Sequence, residues 1–173
     1  MILKELKNPV TEKYLELKKY ILSDKFPWFY DVTSPLEDGI PFFSHTVLAR
    51  PEEEFPVPEV RSEIFNSSVI VLRDIFRYNN IHVNTLLRIN VNYTFYFNGG
   101  TACPLHYDHP FQHKNLLIYL TNSHGPTVLI NTKTKQEDYF HPQEDAIITF
   151  EGKHYHYQPK LGERRIVLVA TYI

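Results

Sequence analysis

From Val83 onward the sequence is a succession of short β-prone runs punctuated by turn residues. The longest, Thr85 to Phe97, is rich in branched and aromatic residues and stops at Asn98, Gly99 and Gly100. Further runs follow at 105–108, 115–121, 127–131, 136–140, 145–150, 154–158 and 164–173. Strands this short cannot bury an apolar face singly. Many of them at regular spacing, with turns between, predict a sandwich or barrel. The first 82 residues read differently. Tyr14, Leu17 and Ile21 recur at helical spacing, which predicts a helix over 10–22 with Asn8 and Pro9 at its start. A second helix is expected over 60–78, from apolar residues at 64, 65, 69, 72, 75 and 76. Phe42 to Ala49 reads as a strand. Phe26 to Tyr30 reads as an aromatic cluster on the core edge, and the acidic, proline-rich 51–58 as an exposed loop. The class is therefore α+β, and 173 residues favour one domain. Within it, 1–82 supply helical support and lead-in strands, and 83–173 the core barrel.

Composition narrows the class of partner. The net charge is −2 with nine histidines taken as neutral, so no basic excess argues for a nucleic-acid backbone. One cysteine, Cys103, excludes an intramolecular disulfide and fits a reducing compartment. The N-terminal residues carry charges where a secretory signal needs an apolar run, and no stretch reaches the length of a membrane span. A soluble, cytoplasmic protein without membrane partners is expected.

His106 and Asp108 are two residues apart within Pro104–Pro110. On extended backbone their side chains point to one face, an imidazole beside a carboxylate. A third ligand must come from another strand, and His154 and His156 both offer one. Two histidines and one carboxylate on one side of a metal leave the other side open, the facial arrangement of non-haem Fe(II) oxygenases. Beyond them, Arg164 and Arg165 enter an apolar strand. Because neighbours on a strand face opposite ways, only one of them can point inward. His109, His113, His124 and His141 sit in loop-like, polar surroundings and read as surface residues. His45 and His82 read as structural, and Cys103 as a small packed side chain.

The chain resembles the 2-oxoglutarate and Fe(II)-dependent oxygenases, in particular the prolyl-4-hydroxylase-like branch and its small phage-encoded members. The residues that carry the resemblance are Arg88 to Asn92, His106-Tyr107-Asp108, Ile118 to Asn122, Phe150-Glu151-Gly152 with His156, and Arg165 to Leu168. Phe26 to Tyr30 and Phe43 to His45 add to it. The resemblance implies a double-stranded β-helix, a jelly-roll or cupin-like barrel with flanking N-terminal helices. It implies His106, Asp108 and His156 as catalytic iron ligands, with His156 preferred over His154 on its nine-residue step to Arg165. It implies Arg165, Tyr119 and Tyr96 as residues binding 2-oxoglutarate. Fe(II), 2-oxoglutarate and O2, with ascorbate in support, would hydroxylate a C–H bond and release succinate and CO2. A protein or peptide substrate, such as peptidyl proline, is favoured over a small molecule or nucleobase. The sequence departs from the family pattern at Thr121 and over Ser123 to Leu129, on the substrate side. The competing readings are a cupin-like metalloprotein that does not use 2-oxoglutarate and a structural β-barrel module.

Overall fold

The computed structural model describes residues 3–31, 39–51, 57–131 and 133–173. Its elements are β1 (Leu3–Leu6), α1 (Glu12–Ile21), β2 (Phe29–Asp31), β3 (Phe42–Leu48), α2 (Phe65–Tyr78), β4 (Leu86–Phe95), β5 (Lys114–Tyr119), β6 (Thr127–Ile130), β7 (Glu137–Phe140), β8 (Ile147–Phe150), β9 (His154–His156) and β10 (Arg164–Tyr172). Seven strands form one sheet in the order β1-β8-β5-β10-β4-β3-β2, and three form a second in the order β7-β6-β9. All pairings are antiparallel. The two sheets and the two helices make up the expected α+β double-stranded β-helix.

Alternation along the central strand β10 builds two cores. Ile166, Leu168 and Ala170 pack with Tyr14, Leu17 and Ile21 of α1 and Leu72 and Ile75 of α2. Val167 and Val169 face the other way, toward Leu129 of the small sheet, with Leu117, Ile148 and Phe150. One face of the large sheet is thus sealed by helices. The other closes against the small sheet and leaves a cleft between them.

Local chemistry moved several boundaries. Helix α1 starts at Glu12 because Thr11 caps it, its hydroxyl accepting from the Tyr14 N–H at 3.3 Å. Asn8 instead accepts from the Val10 N–H, turning the chain before the helix. Helix α2 begins at Phe65 rather than near 60, since Val60 bridges to Leu48 and extends the strand region. Strand β1 pairs with β8 and forms the edge of the large sheet, although its sequence Leu-Lys-Glu-Leu carries no β signal. The aromatic cluster forms as expected, with Phe26 meeting Trp28 and His45 at ring centroid distances of 4.8 and 4.6 Å. Phe29 to Asp31 leave it as the short edge strand β2. His45 is structural, its Nδ1 donating to the Pro27 carbonyl and its Nε2 accepting from the Ser62 hydroxyl. The loop expectation at 51–58 concerns mainly 52–56, which lie outside the described residues.

Candidate metal centre and its pocket

The stretch 101–106 runs antiparallel to β9 and adds a partial fourth strand to the small sheet. His106 and His154 exchange both backbone hydrogen bonds, each at 3.0 Å. The Cys103 N–H donates to the His156 carbonyl at 2.9 Å, and the Gln158 N–H to the Thr101 carbonyl at 3.1 Å. This register makes His154 the direct cross-strand neighbour of His106, with ring centroids 4.4 Å apart.

Consequently one potential ligand atom each from His106, Asp108 and His154 come together, all within 4.8 Å of one another. The His154 Nε2 lies 3.6 Å from the Asp108 Oδ2. His156, the ligand preferred from sequence, does not join this group. His154 and His156 do share a face, and both line the cleft. Two residues along a strand, however, is a step of about 6.5 Å, too far for one first coordination sphere to use either at will. The spacing to Arg165 could not register this, because the choice is made by which residue pairs with His106.

The donor set suits a divalent metal. The His106 Nδ1–H donates to the Pro104 carbonyl at 2.8 Å, which leaves its Nε2 lone pair free. Asp108 is nearly buried, and its Oδ1 accepts from Arg88 Nη1 at 3.1 Å, with Arg50 Nη2 at 3.7 Å. The Oδ2 is thereby left as the ligand oxygen. Burial opposes ionisation of Asp108, but the neighbouring cationic groups outweigh it and hold the carboxyl at about 2. His154 is itself neutral at ordinary pH, because burial lowers it to about 4. Above that pH the arginines are the cations that keep Asp108 charged. Burial, then the charge of Arg165, also puts His156 well below its ordinary value. Neutral imidazoles and an ionised carboxylate are the forms that bind Fe(II).

The far end of the cleft is built around Arg165. It is 2% exposed, whereas its neighbour Arg164 lies in solvent. The Arg165 Nη2 donates to the Thr127 hydroxyl at 3.0 Å, and the guanidinium carbon sits 5.4 Å from the Tyr119 ring centroid. The Tyr119 hydroxyl also donates to Thr127, at 2.8 Å. Among the described residues no carboxylate forms an ion pair with Arg165, and its Nε has no partner. A buried guanidinium without an anion of its own is a costly arrangement unless an anion is supplied from outside. The Nδ1 atom of His156 is also buried without a partner.

Tyr96, the other tyrosine expected to bind 2-oxoglutarate, does not line this cleft. It is 37% exposed beyond the end of β4, its ring lying against Gly100. Asn92 and Thr94, on the cleft-facing side of β4, occupy the wall instead. Thr127 and Thr94 carry no motif, Asn92 had no role assigned within its run, and only strand pairing places them; Thr94 stands directly across from Arg165. Arg50 was likewise invisible in sequence, and Arg88 had no assigned role.

His109 and His113 are not surface residues. They are 3% and 4% exposed. His109 Nε2 hydrogen-bonds the Thr171 hydroxyl at 2.7 Å, and the His113 Nδ1–H donates to the Phe111 carbonyl at 2.7 Å. Their polar sequence context hid a segment folded under the end of β10. His124 and His141 are exposed as expected, His124 pairing with Glu163. Cys103 is half-buried and lines the cleft. From the segment between β4 and β5, Cys103, Pro104, His106, Tyr107 and Asp108 line the cleft. Among the described residues no helix is long and apolar enough to cross a membrane.

No protein-family model and no curated protein matches the sequence. Solved structures do match the fold. An oxidoreductase of the 2OG-Fe(II) oxygenase family from Burkholderia pseudomallei aligns over 98% of this chain and 84% of its own, with a TM-score of 0.73 and 14% identity. The viral collagen prolyl hydroxylase of Paramecium Bursaria Chlorella virus-1, in its 2OG complex, aligns over 99% of this chain and 96% of its own, with a TM-score of 0.56 and 13% identity. The epimerase SnoN from nogalamycin biosynthesis, in complex with Fe3+, alpha ketoglutarate and nogalamycin RO, aligns over 99% and 78%, with a TM-score of 0.63 and 8% identity.

Proposed function

We propose that this chain is a non-haem Fe(II) and 2-oxoglutarate-dependent oxygenase that hydroxylates a C–H bond and releases succinate and CO2. The observation that carries the reading is the pairing of two features in one cleft. One is the cluster of His106, Asp108 and His154. The other is Arg165, buried and without a carboxylate partner among the described residues. A metal-binding barrel that did not use an oxo acid would have no call for the second feature.

His106, Asp108 and His154 would hold the iron. Arg165 offers a planar fork of donors, which stays charged when buried, to the distal carboxylate of the cosubstrate. Thr127, held by both Tyr119 and Arg165, orients that fork. His156 lines the same cleft with a buried, unpaired Nδ1, and it would be available to hydrogen-bond a bound oxo acid. When bound, Fe(II) and 2-oxoglutarate supply the O2-dependent oxidation, which no side chain can perform. The protein positions the pair and keeps water away: Leu117, Val167 and Val169 line the cleft with apolar surface.

A peptidyl-proline substrate is the extension that the resemblance to prolyl hydroxylases supports. The same fold serves an epimerase of nogalamycin biosynthesis, so fold alone does not choose the substrate. The deciding assay supplies purified protein with Fe(II), ascorbate, 2-oxoglutarate and O2 and measures succinate. Succinate formed by the parent protein and lost in Arg165→Ala supports the proposal. Tight metal binding with no effect of 2-oxoglutarate would favour the cupin-like alternative.

A further inference from the structure

The cleft has a second cationic end, which the cosubstrate does not use. Arg50 and Arg88 stand on the side of Asp108 away from Arg165. The β4–β10 register sets this separation: Arg88 is opposite Thr171, whereas Thr94 is opposite Arg165. The six-residue step along the strand from Arg88 to Thr94 spans about 20 Å. Arg50 follows β3 and is 30% exposed on its side chain. Arg88 is more deeply set and hydrogen-bonded to Asp108. Arg50 makes only the long 3.7 Å ion pair to the same carboxylate oxygen, and it makes no hydrogen bond to any described residue.

The charge balance at this end is unfilled. Among the described residues lining the cleft, Arg50, Arg88 and Arg165 are cationic, and Asp108 is the one carboxylate. A divalent metal and a dianionic oxo acid cancel each other. Asp108 offsets one arginine, and two positive charges remain. Guanidiniums drawn into a partly apolar cleft, beside Ile40 and Phe42, are stabilised by an anion that pairs with them there.

We propose that Arg50, backed by Arg88, binds an anionic group of the substrate, a carboxylate or a phosphate, and so presents the adjoining C–H bonds to the metal. Arg50 has five N–H donors, of which none is committed to a hydrogen bond with a described residue, and its fork matches either anion. This inference rests on the oxygenase reading for the identity of the reacting centre, but anion binding itself can be measured separately.

The test first establishes by calorimetry, without O2, that the Fe(II)-loaded protein binds 2-oxoglutarate. With 2-oxoglutarate saturating, so that Arg165 is occupied, the same protein is titrated with benzoate, phenyl phosphate and neutral benzamide. One of the two anions should bind roughly 10- to 100-fold more tightly than benzamide, as a charge-assisted contact implies. The better of the two identifies the anion. Arg50→Gln should reduce that anion to the level of benzamide, Arg50→Lys should retain part of the preference, and the exposed-site control Arg164→Gln should change nothing. The proposal is overturned if benzamide binds as well as both anions, if neither anion binds, or if Arg50→Gln keeps the full preference while folded. Should 2-oxoglutarate fail to bind the parent protein, the oxygenase reading falls. The titrations are then run on metal-loaded Arg165→Gln, where an Arg50-dependent preference still supports the anion site and its absence refutes it.

Discussion

At the scale of single residues, the centre depends on which oxygen of Asp108 is left for a metal. Arg88 holds Oδ1, and Oδ2 faces His154. Replacing Arg88 by Met should free the carboxylate to rotate and remove the cation that keeps it ionised. Metal affinity should fall about 10- to 100-fold, as when other groups that hold a metal ligand in place are removed, in a competition titration against a coloured chelator. In the same titration His154→Ala should lose most metal binding and His156→Ala should stay near the parent value. The reverse result would mean that β9 pairs with 101–106 two residues out of the register described. At the other end, Arg165→Ala should raise the KM for 2-oxoglutarate roughly 100- to 1,000-fold, the expected cost of leaving a buried carboxylate unpaired. Arg165→Lys should recover only part of this, since a point charge cannot reproduce the fork, and Arg164→Ala should be silent.

At the scale of elements, the small sheet has little tolerance where it carries His154 and His156. A Cβ on Gly125 would lie 2.5 Å from the backbone oxygens of both Tyr157 and Gln158. The chain leaving β9 would have to move, because backbone atoms cannot swing aside as a flexible side chain can. Gly125→Ala should therefore cost about 1–3 kcal/mol in a denaturant titration and should also weaken metal binding. Thr11→Ala is the contrasting case. It removes the cap of α1, on the far side of the large sheet, and should cost about 1 kcal/mol with metal affinity unchanged. A loss of metal binding in Thr11→Ala would mean that helix and site are coupled through the sheet. The elements themselves were largely legible in the sequence. Strand β3, helix α1 and the strands from β4 to β10 fall within a few residues of their periodic runs, whereas the run expected at 105–108 forms no strand and only His106 bridges to His154. Strand β1 did not, because its pairing is dictated by the open edge of β8 and not by its own side chains.

At the scale of the whole molecule, buried histidines govern the response to acid. Burial lowers His109 and His154 to about 4, and His156 lies well below its ordinary value. Between about pH 6.5, where an unfolded histidine titrates, and about pH 4, the unfolded chain binds more protons than the folded one. Stability of the metal-free protein should therefore be highest above pH 6.5 and should decline as pH falls through this window. Asp108, held at about 2, adds a further loss only below about pH 4. Chemical denaturation of the metal-free protein at pH 7.5, 6 and 5 checks this. A flat profile would mean that these histidines are accessible to protons in the folded state. Bound metal should flatten the decline, since coordinated imidazoles cannot take up protons until the metal leaves.

What the sequence determined alone is what repeats along the chain. Alternation on β10 put Arg165 with Val167 and Val169 on one face and Arg164 opposite, and the same period placed His154 with His156; His106 and Asp108 meet differently, His106 on a single bridge to β9 and Asp108 in the bend beyond it. Period and spacing report which residues share a face, because they depend only on the backbone of one strand. They carry no information on how far one strand has slid along another. That offset brings His154 rather than His156 beside His106 and Asp108, puts Asn92 and Thr94 rather than Tyr96 in the cleft wall, buries His109 and His113, and brings Arg50 from the end of β3 to Asp108. Only the tertiary structure supplies it, because interstrand register is set by closure of the two sheets around the shared core, a property of all the strands together.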